Sequence, residues 1–141
     1  MKDIIVNVSI EINAPISKVW KALVTPSIIK EYMFGTETTS DWKVGSRISY
    51  KGVWEGKEYE DGGIITEFSE NKVFESTYFS SMSGEEDLPE NYSTVRYEVA
   101  EMPNGTLLTI SQDNCKDKER ADHSSSNWNY ILKLLKEIVE R

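Results

Sequence analysis

The chain has 141 residues, 38% of them apolar, and sets 24 acidic against 16 basic side chains for a formal charge of −8. That length supports one domain, spanning residues 1–141, whose core needs no metal or disulfide staple, and its periodic apolar pattern excludes disorder. The acidic balance, with no Lys/Arg run to offset it, argues against nucleic acid and anionic membrane surfaces as partners.

Ile4, Val6, Val8, Ile10 and Ile12 alternate with Asn7, Ser9 and Glu11, the period-two pattern of a strand with one buried face. From Ala14 to Leu23 the period becomes helical at Pro15, a residue suited to a helix's first position. There Ile16, Val19, Trp20 and Leu23 share a stripe, leaving Ser17, Lys18 and Lys21 to water. Thr25 as cap and Pro26 as first residue begin a second short helix, buried through Ile28, Ile29, Tyr32 and Met33 and ended by Gly35.

Thr36 to Asp41 reads as a short edge strand. Lys43-Val44-Gly45-Ser46 turns into a strand over Arg47–Trp54, where Ile48, Tyr50 and Trp54 share a face. Glu55-Gly56-Lys57 is a hairpin turn into a strand over roughly Glu58–Ser69, and Gly62-Gly63 inside it predicts a bulge or sharp bend. Glu70-Asn71 turns into Lys72–Ser80. Ser81 to Glu90 is the one long loop, with Glu85-Glu86-Asp87 expected as a solvated run. Tyr92–Glu101 and Thr106–Asn114 are strands joined by Met102-Pro103-Asn104-Gly105, read as an Asn-Gly hairpin turn. A final helix starts between Asp117 and Ser126. Its stripe of Trp128, Ile131, Leu132, Leu135, Ile138 and Val139 must lie across something apolar, and a curved sheet is the only large partner available.

The fold class expected is therefore α+β: a curved antiparallel sheet of six to seven strands, two short helices after the first strand, and a long C-terminal helix packed across the sheet. A single cysteine, Cys115, fits a reducing compartment and reads as a small buried hydrophobe. Met1-Lys2-Asp3-Ile4 lacks the features of a signal peptide, and no apolar run approaches the ~20 residues that span a bilayer. A cytoplasmic protein without membrane insertion, a monomer or weak dimer, is expected.

The element order resembles the START-like superfamily (SRPBCC, or Bet v-like, proteins) with its helix-grip fold. The branch it resembles most is that of the activator of heat-shock protein 90 ATPase homologue-like proteins. The likeness rests on Ala14 to Leu23 with Thr25-Pro26, on Trp42-Lys43-Val44-Gly45-Ser46, on Gly63-Ile64-Ile65-Thr66-Glu67-Phe68, on Gly105-Thr106-Leu107-Leu108-Thr109-Ile110, and on Trp128 with the Leu132/Leu135 spacing. Departures occur at Ser126-Asn127 before Trp128, where relatives commonly carry a glycine, and at Gln112, where many have a histidine. The N-terminal domain that accompanies this module in eukaryotic co-chaperones is not in this sequence.

The resemblance implies a cavity between sheet and long helix. Its expected walls are Tyr50, Trp54, Tyr59, Phe79, Val95, Tyr97, Val99, Leu108, Ile110, Gln112, Trp128 and Leu132, with tyrosine and tryptophan offering apolar surface and one hydrogen-bond donor each. Each of these aromatics also has the plainer role of filling the core. His123 is the only histidine, and neither it nor Cys115 has an evident catalytic partner. Glu55, Glu58, Glu60 and Asp61 cluster on one hairpin and are expected in solvent. No catalytic residue, cofactor site or metal site is assigned.

Binding of a small hydrophobic or aromatic ligand, lipid-like or polyketide-like, is the leading expectation. The alternatives are a protein-interaction module acting on a chaperone ATPase, and a polyketide cyclase-like enzyme, which would need an interior polar pair.

Overall fold

The computed structural model describes residues 4–141; the Met1-Lys2-Asp3 start lies outside them. Seven strands form one curved antiparallel sheet in the order β1-β7-β6-β5-β4-β3-β2. They are β1 (Val6–Ile12), β2 (Glu37–Ser40), β3 (Arg47–Trp54), β4 (Lys57–Ser69), β5 (Val73–Tyr78), β6 (Ser93–Met102) and β7 (Gly105–Gln112). Helices α1 (Ile16–Val24) and α2 (Pro26–Tyr32) carry the chain from the β1 edge to the β2 edge, and α3 (Lys118–Val139) lies in the concave face. This is the α+β helix-grip architecture.

Strand alternation decides which side chains enter the core. Val6, Val8 and Ile12 are buried on β1, and Val95, Tyr97 and Val99 on β6. Across the β6–β7 pair, Val95 faces Gln112, Tyr97 faces Ile110 and Val99 faces Leu108, so these rows project to one side. Val19, Trp20, Ala22 and Leu23 of α1 close the core at one end. The Trp20 ring meets Phe68 edge-on at 5.6 Å, the favoured aromatic arrangement.

Three local readings of the sequence are corrected. Pro15 stands just before α1, with ψ 156°, so the helix begins at Ile16 while the Pro15 carbonyl accepts from Lys18 and Val19. Thr25 precedes α2 without a side-chain cap; its carbonyl, not its hydroxyl, accepts the first helical bonds. The β6–β7 turn consists of Pro103 and Asn104, because Met102 pairs directly with Gly105. Gly105 is drawn into the strand at φ +154°, where a Cβ would stand 2.1 Å from the Ile12 carbonyl oxygen.

Asp117 caps α3, its side chain accepting from the Arg120 N–H at 2.8 Å. Ile131, Leu132, Leu135 and Val139 are buried, as the stripe requires, and Trp128 is partly buried. The far end of α3 is tied to the β1 edge. Lys136 Nζ donates to the Glu11 carbonyl (2.8 Å), and the Asn13 N–H donates to Glu140 Oε2 (2.7 Å).

Curvature concentrates in the 13-residue β4, whose pairing with β5 slips between Ile65 and Glu67. At the Gly62-Gly63 bend the neighbouring backbones come close: a Cβ on Gly63 would stand 2.1 Å from the Thr77 carbonyl oxygen. Gly63→Ala is therefore expected to destabilise by about 3 kcal/mol, near the upper end for overpacking. Gly84→Ala, at φ +81° with open space around it, should lose only about 1 kcal/mol. Urea midpoints of the two variants check this; equal losses would contradict the close approach at Gly63.

Candidate functional site

Helix α3 touches the sheet unevenly, and a cavity of about 350 Å³ lies where the two part. Moving along β6 and β7 from Val99–Leu108 through Tyr97–Ile110 to Val95–Gln112, the rows pass from closed core to cavity wall. The opposite wall comes from β3, β4 and β5, and the segment between α2 and β2, with Met33, Phe34 and Thr36, joins the first half of α3 at the rim.

Of the residues read from the sequence, Tyr50, Trp54, Tyr59, Val95, Tyr97, Gln112 and Trp128 line this cavity. Val99, Leu108, Ile110 and Leu132 share the same sheet face or helix stripe but lie under the closed half of α3, where no space remains. Phe79 lies on the opposite face of its strand end. Phe74, Ser76 and Tyr78 point inward, so Phe79 falls on the other parity and stacks on Tyr92 at 5.3 Å. Tyr78 takes the inward place instead.

Asp61 is the largest departure. The expectation grouped it with Glu58 and Glu60 in solvent, and those two are exposed. Asp61 stands directly opposite Tyr50 in the β3–β4 register and joins it on the cavity wall. The signal was present: Tyr59 and Asp61 are two apart in a strand and must share a face. Its Oδ2 accepts from the Tyr78 hydroxyl (3.1 Å), and its Oδ1 accepts from the Ser81 N–H (2.8 Å) and hydroxyl (3.1 Å).

The rest of the wall is held by paired polar tips. Trp128 Nε1 donates to Gln112 Oε1 at 2.8 Å, and the Trp128 ring meets Tyr97 edge-on at 5.9 Å. Tyr97 stacks on Phe74, and the Tyr50 ring packs edge-on against Tyr78. Thr36 Oγ1 and the Tyr59 hydroxyl lie 2.6 Å apart. Tyr59 lies over Gly52, its cross-strand partner, so closely that a Cβ there would meet the phenol oxygen at 2.4 Å. The glycine makes room for the ring.

The rim is apolar and open: Phe34 is 55% exposed, Trp54 56% and Met82 46%, so the rim carries apolar surface rather than charge. Phe34 stacks on Tyr130 of α3 at 6.0 Å, with its backbone in the left-handed region at φ +56°. His123 is exposed at the mouth, on α3.

A second, wider cleft of about 730 Å³ lies under the Ser81–Glu90 loop, sharing His123, Ser124, Gln112 and Tyr78 with the first. Glu85, Lys116, Asp117 and Arg120 on its walls pair with one another. Glu85 bonds Arg120 (2.7 Å) and lies 3.8 Å from Lys116, so it is an anchor of the loop rather than part of a solvated run. Asp87 likewise accepts from the Tyr92 hydroxyl at 2.6 Å. Cys115 is buried and free, and burial pushes its thiol up. Among the described residues no three His, Cys, Asp or Glu side chains come together to hold a metal ion, and no helix is long and apolar enough to cross a membrane.

Burial raises the phenols of Tyr32, Tyr50, Tyr78 and Tyr97 above their ordinary value, with the Asp61 carboxylate adding to the effect at Tyr78. In the unfolded chain a tyrosine titrates near ~10. The resulting stability is complete below about pH 10 and falls as pH rises past it, because the unfolded chain releases those protons first. Alkaline titration should show the four buried phenolates appearing together with loss of far-ultraviolet ellipticity. Phenolate absorbance from all tyrosines before any loss of ellipticity would contradict the buried cluster.

Residues 13–140 match the family described as Activator of Hsp90 ATPase homolog 1-like protein. The solution structure of ChR145 from Cytophaga hutchinsonii is similar at 46% identity, over 99% of this chain and 96% of that one, with a TM-score of 0.87. The solution structure of the Aha1 dimer from Colwellia psychrerythraea is similar at 20% identity, over 97% and 96% of the two chains, with a TM-score of 0.76. DynU16, a putative protein in the dynemicin biosynthetic locus, is 14% identical over 98% of this chain and 48% of its own, with a TM-score of 0.80. The last two likenesses concern the fold alone. No curated protein matches the sequence. By the family match and the likeness to ChR145, the chain belongs to the Activator of Hsp90 ATPase homolog 1-like family, a branch of the START-like superfamily.

Proposed function

We propose that the chain is a single START-like domain that binds a small hydrophobic or aromatic ligand between its sheet and α3, working in the cytoplasm as a monomer or weak dimer. The observation that carries this is the open, aromatic-walled cavity of about 350 Å³, within the range of small-molecule sites. Tyr50, Tyr97 and Trp128 supply rigid apolar faces. The Trp128 indole N–H is already bonded to Gln112, so a ligand can cover that face without stranding its donor.

Two other readings each have an observation behind them. The family description favours a module acting on a chaperone ATPase, and exposed Phe34, Trp54 and Met82 supply apolar surface for a protein partner. The Asp61–Tyr78 pair supplies the interior polar pair that a cyclase-type enzyme would need.

A panel of small aromatics and lipids followed by amide and indole chemical shifts tests the leading reading. At least one ring compound should move the indole signals of Trp54 and Trp128 and the amide of Tyr97. Shifts that avoid all three residues for every ligand would overturn it. Stimulation of a chaperone ATPase unaffected by a bound ring compound would favour the interaction module instead.

A further inference from the structure

Ligand class follows from an asymmetry in the cavity wall. Among the described residues, one carboxylate, Asp61, lines it and no Lys or Arg does. The tyrosine hydroxyls are neutral, and His123 is exposed at the mouth on the opposite element. The carboxylate is also incompletely used. Oδ1 accepts two hydrogen bonds, from the Ser81 N–H and hydroxyl, while Oδ2 accepts one, from Tyr78. A carboxylate has about four acceptor directions, so one remains on Oδ2. Beside it stand the rings of Tyr50 and Tyr78, 6.1 Å apart, with Tyr59 and Tyr97 on the same wall.

We infer that the cavity selects a compact organic cation, a primary ammonium group on a short arm from an aromatic or aliphatic ring, with Asp61 as its counter-ion. This rests on the binding reading above and names the ligand class for the same site. Three effects add. An N⁺–H donor bonds a carboxylate more strongly than a neutral hydroxyl does. Tyrosine faces attract a cation placed within about 6 Å. The formal charge of −8 enriches cations near the protein and repels anions. A ligand carboxylate meets the opposite conditions: it would have to stand in an apolar cavity facing Asp61, with no cation on the wall. Free fatty acids and aryl carboxylates are thereby excluded.

Three near-isosteric probes test this with the full chain at neutral pH: 2-phenylethylamine, 2-phenylethanol and phenylacetate, titrated against the indole and amide signals. The ammonium probe should bind about ten-fold or more tighter than the alcohol, with phenylacetate weakest. Added salt should weaken the amine and leave the alcohol unchanged. Asp61→Asn should remove most of the amine's advantage over the alcohol, leaving only the smaller share due to the tyrosine faces and the overall charge. Equal or tighter binding of the alcohol or the acid, or an amine preference undiminished in folded Asp61→Asn, would overturn the charge selection while leaving a binding cavity in place. Binding of none of the three would overturn both. Should Asp61→Asn fail to fold, the unaltered protein in about 1 M salt decides: the field of the overall charge is screened there and a contact pair less so, so an amine preference that persists supports the assignment and one that disappears overturns it.

Discussion

The fold depends on how α3 is held. Its second half is pressed into the sheet by Ile131, Leu132, Leu135 and Val139, and its end is tied to β1 through Lys136 and Glu140. Its first half has no such contact with β3 and β4. It is anchored by the Asp117 cap and by Trp128 bonded to Gln112. A rod clamped at one end and propped at the other, over a sheet that bends away, leaves space between the two. The sheet bends because Gly62 and Gly63 let backbones approach where any side chain would collide. Cavity and curvature therefore share one origin.

The cavity is polar in an ordered way. Tyr59 bonds Thr36 and Tyr78 bonds Asp61, while Tyr50 and Tyr97 pack ring against ring on Tyr78 and Phe74, which fixes the rings as walls. Asp61 couples that network to the loop above it through Ser81. The same loop is held from outside by Glu85 on Arg120 and Lys116. The position of the Ser81–Glu90 segment is thus set by charge pairs on one side and by the wall of the cavity on the other.

The strands, both short helices and the buried stripe of α3 were legible because burial on one face imposes a period, and periods of 2 and 3.6 survive in sequence. Helix and turn ends at Pro15, Thr25 and Pro103 shifted by a residue or so, since backbone hydrogen bonding settles them and side-chain identity only biases it. The wall was half legible. Tyr50, Tyr97, Gln112 and Trp128 follow from strand parity and helix stripe. Leu108, Ile110 and Leu132 obey the same parity yet lie in closed core, because where α3 lifts from the sheet is a three-dimensional fact with no local signal. Phe79 failed on parity, since it lies one residue past the inward-facing Tyr78 and takes the other face. Asp61 was missed by reading its charge ahead of its parity, although Tyr59 two residues earlier already pointed inward.

Filling the hollow tests most directly whether the clamped helix leaves one. Val95 is 3% exposed and lines the cavity, whereas Leu108, 0% exposed, sits in closed core on the neighbouring strand. Urea unfolding of Val95→Phe should give a stability within about 0.5 kcal/mol of the parent or above it, while Leu108→Phe should lose about 1–3 kcal/mol to overpacking. A loss at Val95 as large as that at Leu108 would mean that the space beneath α3 is already filled.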